Sequence, residues 1–271
     1  MNAVIFHMPP TFRLTGSTIN ALEYFLCAVN YNSQLKLIIL NGVSATRRKL
    51  INIIHNRYQD LDKKWLDNII CMGKYKLIHE KLDTVLVLDY ETIRETKGIL
   101  NANKILVISE KYTDRPEYFY EKDKYNVEYY GEMPFHYKDI EYRMKCLFDK
   151  YKPLRSVEEG TYINSPYNNE TLSVKLLFED FLPKPMFFKS KNKHKENLFE
   201  NFTHYLYYHA NKWFDPHPRL FLECEYYNKE IIYYNPDRII DGSLYRYHDV
   251  VENGLWDRTL TKEDLIIRQL I

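Results

Sequence analysis

Glycine is scarce in this sequence, at 8 of 271 residues, and proline adds 11 more. With 45% apolar residues beside them, that excludes a low-complexity or disordered chain, which needs less apolar content and more net charge. No charge sign dominates: 38 basic against 37 acidic residues leave a formal charge of +1. The total therefore gives no sign of a strongly basic nucleic-acid binder, although a local basic face depends on placement. Cysteine is sparse. Cys27, Cys71, Cys146 and Cys224 lie far apart with no CxxC pair, so neither a zinc site nor a disulfide framework is expected. A reducing, cytoplasmic compartment follows as the expectation. No apolar run approaches the length of a membrane span. The start MNAVIFHMPPTF has no basic residue ahead of its apolar run, so no export signal is expected either. No repeat of fixed short period is visible.

What the chain does contain is an alternation of apolar runs and helical patterns. Strands are expected at 2–7, 35–42, 83–90, 104–111 and 126–131, and helices at 17–30, 44–58 and 138–151. The runs DTVLVLDY and KILVISEK are continuously apolar, as strands covered on both faces are. Ser17 or Thr18 is the expected N-cap of the first helix. The polar segment KPLRSVEEG then marks a boundary between a domain at 1–152 and one at 153–260. In the second half, strands are expected at 161–166, 185–190, 203–210 and 230–235. Helices are expected at 170–182, 197–202 and 218–228. A last helix, 261–271, opens on a capping box from Thr261 to Asp264. Strands alternating with helices indicate an α/β fold with parallel sheets.

The most informative stretch is DPHPRLFLE, Asp215 to Glu223, between an expected strand and an expected helix. Pro218 suits a first helical turn, where its missing N–H is no loss. The free N–H groups of a helix start can hold an anion. A carboxylate at Glu223 can accept hydrogen bonds from a ribose diol, as an acidic residue does in dinucleotide-binding folds.

Two acids separated by seven residues, the second inside a PR-x-x-LE helix that leads into a strand, resemble the C-terminal motif of GT-B-fold glycosyltransferases. The resemblance implies two facing Rossmann-like domains, parallel sheets and a C-terminal helix that crosses back onto the N-terminal domain. It implies that Asp215 meets the transferred sugar and Glu223 the nucleotide ribose. Asp215 departs from the family's glutamate there, and Asn228 stands where glycine is usual. The implied donor is a UDP-sugar used as co-substrate, with no tightly bound cofactor, no protein metal site and an open question over a divalent ion.

Other candidates take their place around that motif. Gly16 and Ser17 open the first helix, where a donor phosphate could approach. Lys189 and Arg219 are candidate partners of the donor diphosphate. His7, Asp89 and Glu110 fall at strand ends, where ligands gather in open α/β sheets. Each is a candidate base towards an acceptor hydroxyl. Arg47, Arg48, Lys49 and Arg57 share one expected helix and could face a polyanion such as DNA.

Many Tyr, Asn and Lys residues hint at an AT-rich genome. Together with the ending GLWDRTLTKEDLIIRQLI, this makes the chain similar to proteins of T-even-like phages. Their DNA glycosyltransferases move glucose or arabinose onto 5-hydroxymethylcytosine. That similarity implies duplex modified DNA as partner and the host cytoplasm as location. It also implies a flipped base, with aromatic or apolar wedges near the basic helix. A bacterial surface glycan or lipid-linked acceptor is the second reading, and a non-catalytic nucleotide-binding module the third.

Overall fold

The computed structural model describes residues 1–8, 16–88, 90–109, 120–121, 123–131, 150–163, 183, 185–187, 198–208, 219–234, 245–246 and 262–271. The chain divides into two compact units, one of residues 1–151 with 259–271 and one of 152–258.

The first unit is built on six parallel strands: β1 (Ala3–His7), β2 (Lys36–Leu40), β3 (Ile69–Met72), β4 (Leu82–Leu88), β5 (Ala102–Ser109) and β6 (Val127–Gly131). Their order across the sheet is β3-β2-β1-β4-β5-β6, and every pairing is parallel. That order is the one of Rossmann-like α/β folds. Ala3, Val4, Ile5 and Phe6 are all buried, so both faces of β1 are covered. This is why its sequence runs apolar without alternation.

Helices α1 (Gly16–Val29), α2 (Ser44–Arg57), α3 (Lys74–His79) and α4 (Tyr90–Thr96) follow β1, β2, β3 and β4 in turn. Asn41 ends β2 with φ 59°, a left-handed conformation that asparagine tolerates. Helix α1 already begins at Gly16, so Ser17 and Thr18 lie within its first turn and do not cap it. Thr18 is turned into the core at 5% exposure. Four elements of this unit escaped the sequence reading: β3, α3, α4 and a 3-10 helix at Lys63–Asn68. Tyr151, expected to end a helix, instead forms an antiparallel bridge with Tyr58. The remainder of that expected helix, 138–149, lies outside the described residues.

The second unit holds β7 (Thr161–Ile163), β8 (Pro185–Phe187), β9 (His204–Tyr208), helix α5 (Arg219–Tyr226), β10 (Glu230–Tyr234) and β11 (Tyr245–Arg246). The sheet order is β11-β10-β9-β7-β8, parallel except for β11, which pairs antiparallel with β10. Only a short 3-10 turn, Leu198–Glu200, stands where a helix over 197–202 was expected. Both Leu198 and Phe199 are buried there. The helix expected at 170–182 and the capping box at Thr261 lie outside the described residues.

Helix α6 (Lys262–Leu270) belongs to the first unit, where it packs against α1 and β4. Ile266 and Leu270, one turn apart, are fully buried. The Leu270 carbonyl, orphaned at a helix end, accepts from the side-chain amides of Asn2 and Asn32, each at 3.0 Å.

Candidate functional site

Open parallel sheets bind ligands beyond the carboxyl ends of their strands, where the strand order reverses. In the first unit that switch point lies between β1 and β4. His7 is the last residue of β1. Its backbone N–H donates to Thr92 Oγ1 at 2.7 Å, and this buried hydroxyl ties the strand end to α4. The His7 imidazole is 13% exposed, with Nδ1 3.8 Å from Glu91 Oε2. That nitrogen makes no hydrogen bond among the described residues.

Next to it, Lys74 Nζ and Glu95 Oε2 are 2.6 Å apart, with Arg94 Nε 3.6 Å from the other carboxylate oxygen. The switch point thus gathers an imidazole, a carboxylate on α4 and a lysine at the start of α3. Such a set can accept a proton from a hydroxyl and offset the charge that develops. Gly16 and Ser17 begin α1, the helix that follows β1. Asp89 and Glu110, the other two candidate bases, lie outside the described residues.

The hydrogen bond from Lys74 holds the Glu95 carboxyl below the usual carboxylate range, with smaller Coulombic pulls from Lys74, His7 and Arg94. A carboxylate whose folded pKa is depressed stabilises the fold above its unfolded pKa. That stability disappears as pH falls through the folded value. Glu95→Gln should cost roughly 0.5 kcal/mol at neutral pH, as half-exposed pairs do. It should also flatten the acid limb of the stability–pH curve, measured by urea unfolding. A variant curve parallel to that of the unsubstituted protein would show the pair to be idle.

The four basic residues grouped on α2 do not form one patch. The Arg47 guanidinium donates to the carbonyls of Ile69 (2.6 Å) and Leu66 (2.7 Å), fastening α2 to the turn before β3. Arg57 lies over the Tyr151 ring, 5.5 Å from its centroid. Arg48 and Lys49 are exposed. The expected common face is therefore broken, because Arg47 and Arg57 are drawn to groups distant in sequence.

In the second unit, β9 and β10 are parallel neighbours with α5 between them in the chain, a βαβ unit. Glu223 sits in the second turn of α5 and is completely buried. Asn228 adopts φ 53°, the left-handed conformation that favours glycine and that asparagine also accepts. Lys229 follows, with Nζ donating to the Phe202 carbonyl at 2.7 Å and standing 5.4 Å from the Phe202 ring centroid. Burial pulls its ammonium below the usual lysine range. Burial pushes the neighbouring Cys224 thiol well up, which makes it inert. Asp215, Lys189 and the Arg219 side chain lie outside the described residues.

Sequence reasoning missed Thr92, Glu91, Lys74, Glu95 and Lys229. A Thr-x-x-x-Thr spacing directly after a buried strand was the available signal for α4, since Thr96 Oγ1 bonds back to the Thr92 carbonyl at 2.6 Å. Among the described residues, no helix is long and apolar enough to cross a membrane. No family model matches the chain, and no curated protein or solved structure matches it.

Proposed function

We propose that the protein is a glycosyltransferase of the GT-B kind that moves a sugar, glucose or arabinose, from a UDP-sugar to 5-hydroxymethylcytosine in DNA. The observation that carries the transferase reading is the βαβ unit β9-α5-β10. It sets a buried acid, Glu223, inside the helix that leads into a parallel strand, with a left-handed residue between them. The Rossmann-like order of the first sheet, with His7 at its switch point, supplies a second ligand edge. The DNA acceptor rests on the sequence resemblance alone.

In this reading the acceptor oxygen attacks the anomeric carbon and the bond to the UDP oxygen breaks. The electron pair leaves with UDP, whose growing charge needs cations or amides. The hydroxyl proton passes to a base, and His7 is the candidate within the described residues. Asp215, Arg219, Lys189 and Glu223 are the donor-side candidates, and Gly16 and Ser17 open the helix nearest the switch point.

The test is a transfer assay read by mass spectrometry. Full-length protein is mixed with a panel of UDP-sugars and duplex DNA containing 5-hydroxymethylcytosine, and the digested nucleosides are weighed. A hexose or pentose increment on the modified base is the expected result. UDP-sugar binding without added mass moves the acceptor to glycans or lipid-linked sugars. Binding of a nucleotide with no transfer to any acceptor leaves a non-catalytic module. Loss of both binding and transfer ends the proposal. For Glu223→Gln, loss of a charge-assisted hydrogen bond of about 1.5–3 kcal/mol should weaken UDP-sugar binding about tenfold to a hundredfold in calorimetry. An unchanged affinity removes Glu223 from the donor site.

A further inference from the structure

Lys74 opens α3, and Arg94 and Glu95 lie on α4, yet β3 and β4, the strands before these helices, have β2 and β1 between them in the sheet. One carboxylate draws the three side chains together. Lys74 Nζ is 2.6 Å from Glu95 Oε2, and Arg94 Nε is 3.6 Å from Glu95 Oε1. The hydrogen bond from Lys74, and then the charges of Lys74, His7 and Arg94, hold this carboxyl below its usual range. Exposure is unequal across the cluster: the Lys74 and Arg94 side chains are 45% and 57% exposed, against 20% for Glu95. The two cations face water, and the acid is the less accessible partner. Next to it is the His7 imidazole, whose Nδ1 makes no hydrogen bond among the described residues.

We propose that this cluster is a phosphate site in which Glu95 is the resident stand-in, giving up Lys74 and Arg94 when a phosphate or diphosphate group arrives at the β1–β4 edge. The two oxygens of Glu95 each face one cation, as two oxygens of a phosphate would. The cluster lies where the strand order reverses, which is where open sheets bind ligands. The inference deepens the glycosyltransferase reading, since a nucleotide-sugar donor and a DNA acceptor both carry phosphate. It rests on that reading for the choice of edge, not for sugar transfer itself.

Magnitudes favour the exchange. A half-exposed ion pair contributes little, because water screens it and two long side chains must be held in one geometry. Lys74 and Arg94 thus leave Glu95 at small cost. A phosphate carries more charge and more acceptor oxygens than a carboxylate, and its contacts to cations are of the stronger, charge-assisted kind. A carboxylate ligand gains nothing over Glu95 and is not selected. Glu91, with Oε2 3.8 Å from His7 Nδ1, adds a second negative charge on α4. Both acids oppose an incoming anion, so Glu95 acts as a brake on binding and not as a ligand.

The test is calorimetry of the full-length protein with inorganic pyrophosphate at low salt, repeated with Glu95→Gln, Lys74→Ala and Arg94→Ala. Glutamine keeps the shape of the Glu95 side chain and removes its charge. Pyrophosphate should bind the unsubstituted protein, and Glu95→Gln should tighten that binding roughly twofold to fivefold. Lys74→Ala should weaken it roughly tenfold to a hundredfold, and Arg94→Ala should weaken it as well. The sign is diagnostic, because an acid that merely supports the fold leaves affinity unchanged or lowers it when substituted. Both cations are about half exposed, so circular dichroism spectra of the variants should match that of the unsubstituted protein. Competition by UDP identifies a nucleotide diphosphate as the source of the phosphate, and competition by a duplex oligonucleotide identifies a nucleic-acid backbone. Absent pyrophosphate binding, binding that ignores Lys74→Ala, or a Glu95→Gln affinity that is unchanged or lower overturns the proposal. Competition by neither UDP nor duplex means an adventitious ion only and overturns it too. The transfer assay separates this failure from that of the transferase. Sugar transfer with none of these pyrophosphate effects removes the site alone, whereas the expected pyrophosphate pattern without transfer to any acceptor keeps the site and removes the transferase.

Discussion

Replacing Glu23 by alanine should destabilise the protein by about 4 kcal/mol. Glu23 is fully buried on α1 and accepts, through Oε1, from the Tyr58 hydroxyl at 2.8 Å and from the Tyr151 hydroxyl. Both phenols are themselves buried, and their rings pack at 5.2 Å with planes at 38°. Alanine would strand two hydroxyls in an apolar site, each at a cost of about 1–3 kcal/mol, and leave a void besides. Tyr151→Phe removes one bond to a single oxygen and should cost about 1.5–3 kcal/mol. Urea unfolding followed by circular dichroism gives both numbers. A Glu23→Ala midpoint within about 1 kcal/mol of the unsubstituted protein would mean that the cluster does not hold Tyr151 in place.

Phe202→Ala should cost about 3–5 kcal/mol, and the loss should be confined to the second unit. Phe202 is fully buried and stacks on Tyr162 at 5.3 Å, which stacks in turn on Tyr205 at 5.6 Å. Phe199 flanks it at 5.6 Å. The ring also lies below the Lys229 ammonium, so its removal takes away a cation–π contact as well as packing. Hydrogen exchange read by mass spectrometry on the full chain distinguishes the outcomes. Amides of β7, β9 and β10 should lose protection while those of β1, β4 and β5 keep theirs. Equal loss in both sets would show that the two units unfold as one. Because α5 packs against β10, the donor affinity proposed for this unit should fall in this variant too.

Four of the strands that sequence reasoning located, Ala3–His7, Lys36–Leu40, Leu82–Leu88 and Ala102–Ser109, are mainly apolar runs of five to eight residues. Strand β3 is only four residues, IICM, and its neighbours Asp67-Asn68 and Gly73 read as one continuous loop. Helix α4, YETIRET, is polar on most positions, and its hold on the fold comes from the buried Ile93 and from Thr92 and Thr96, whose partners are a strand end and Tyr120. Periodicity cannot report such bonds.

The candidate sites divide in the same way. The place of His7 at the end of β1 was legible because a strand end is a local feature. The fate of Arg47 was not, since the carbonyls it serves lie 19 and 22 residues away. Glu23 gave no warning either. In an amphipathic pattern it reads as a solvent-facing acid, and its tyrosine partners stand 35 and 128 residues further on. Glu223 was placed on the right helix, yet its complete burial depends on the packing of a whole unit.

The second unit is nested inside the first in the order of the chain. A ribosome finishes residues 152–258 before it makes α6, so the first sheet emerges with the flank of α1 and β4 still bare. Until Leu270 arrives, the Asn2 and Asn32 amides have no helix end to hold. Domains generally fold as units during synthesis. Here the later-made unit has all its residues in hand while the earlier-made one still waits for its last helix. The nascent chain therefore presents an incompletely covered first unit for the whole time that the insert is being translated.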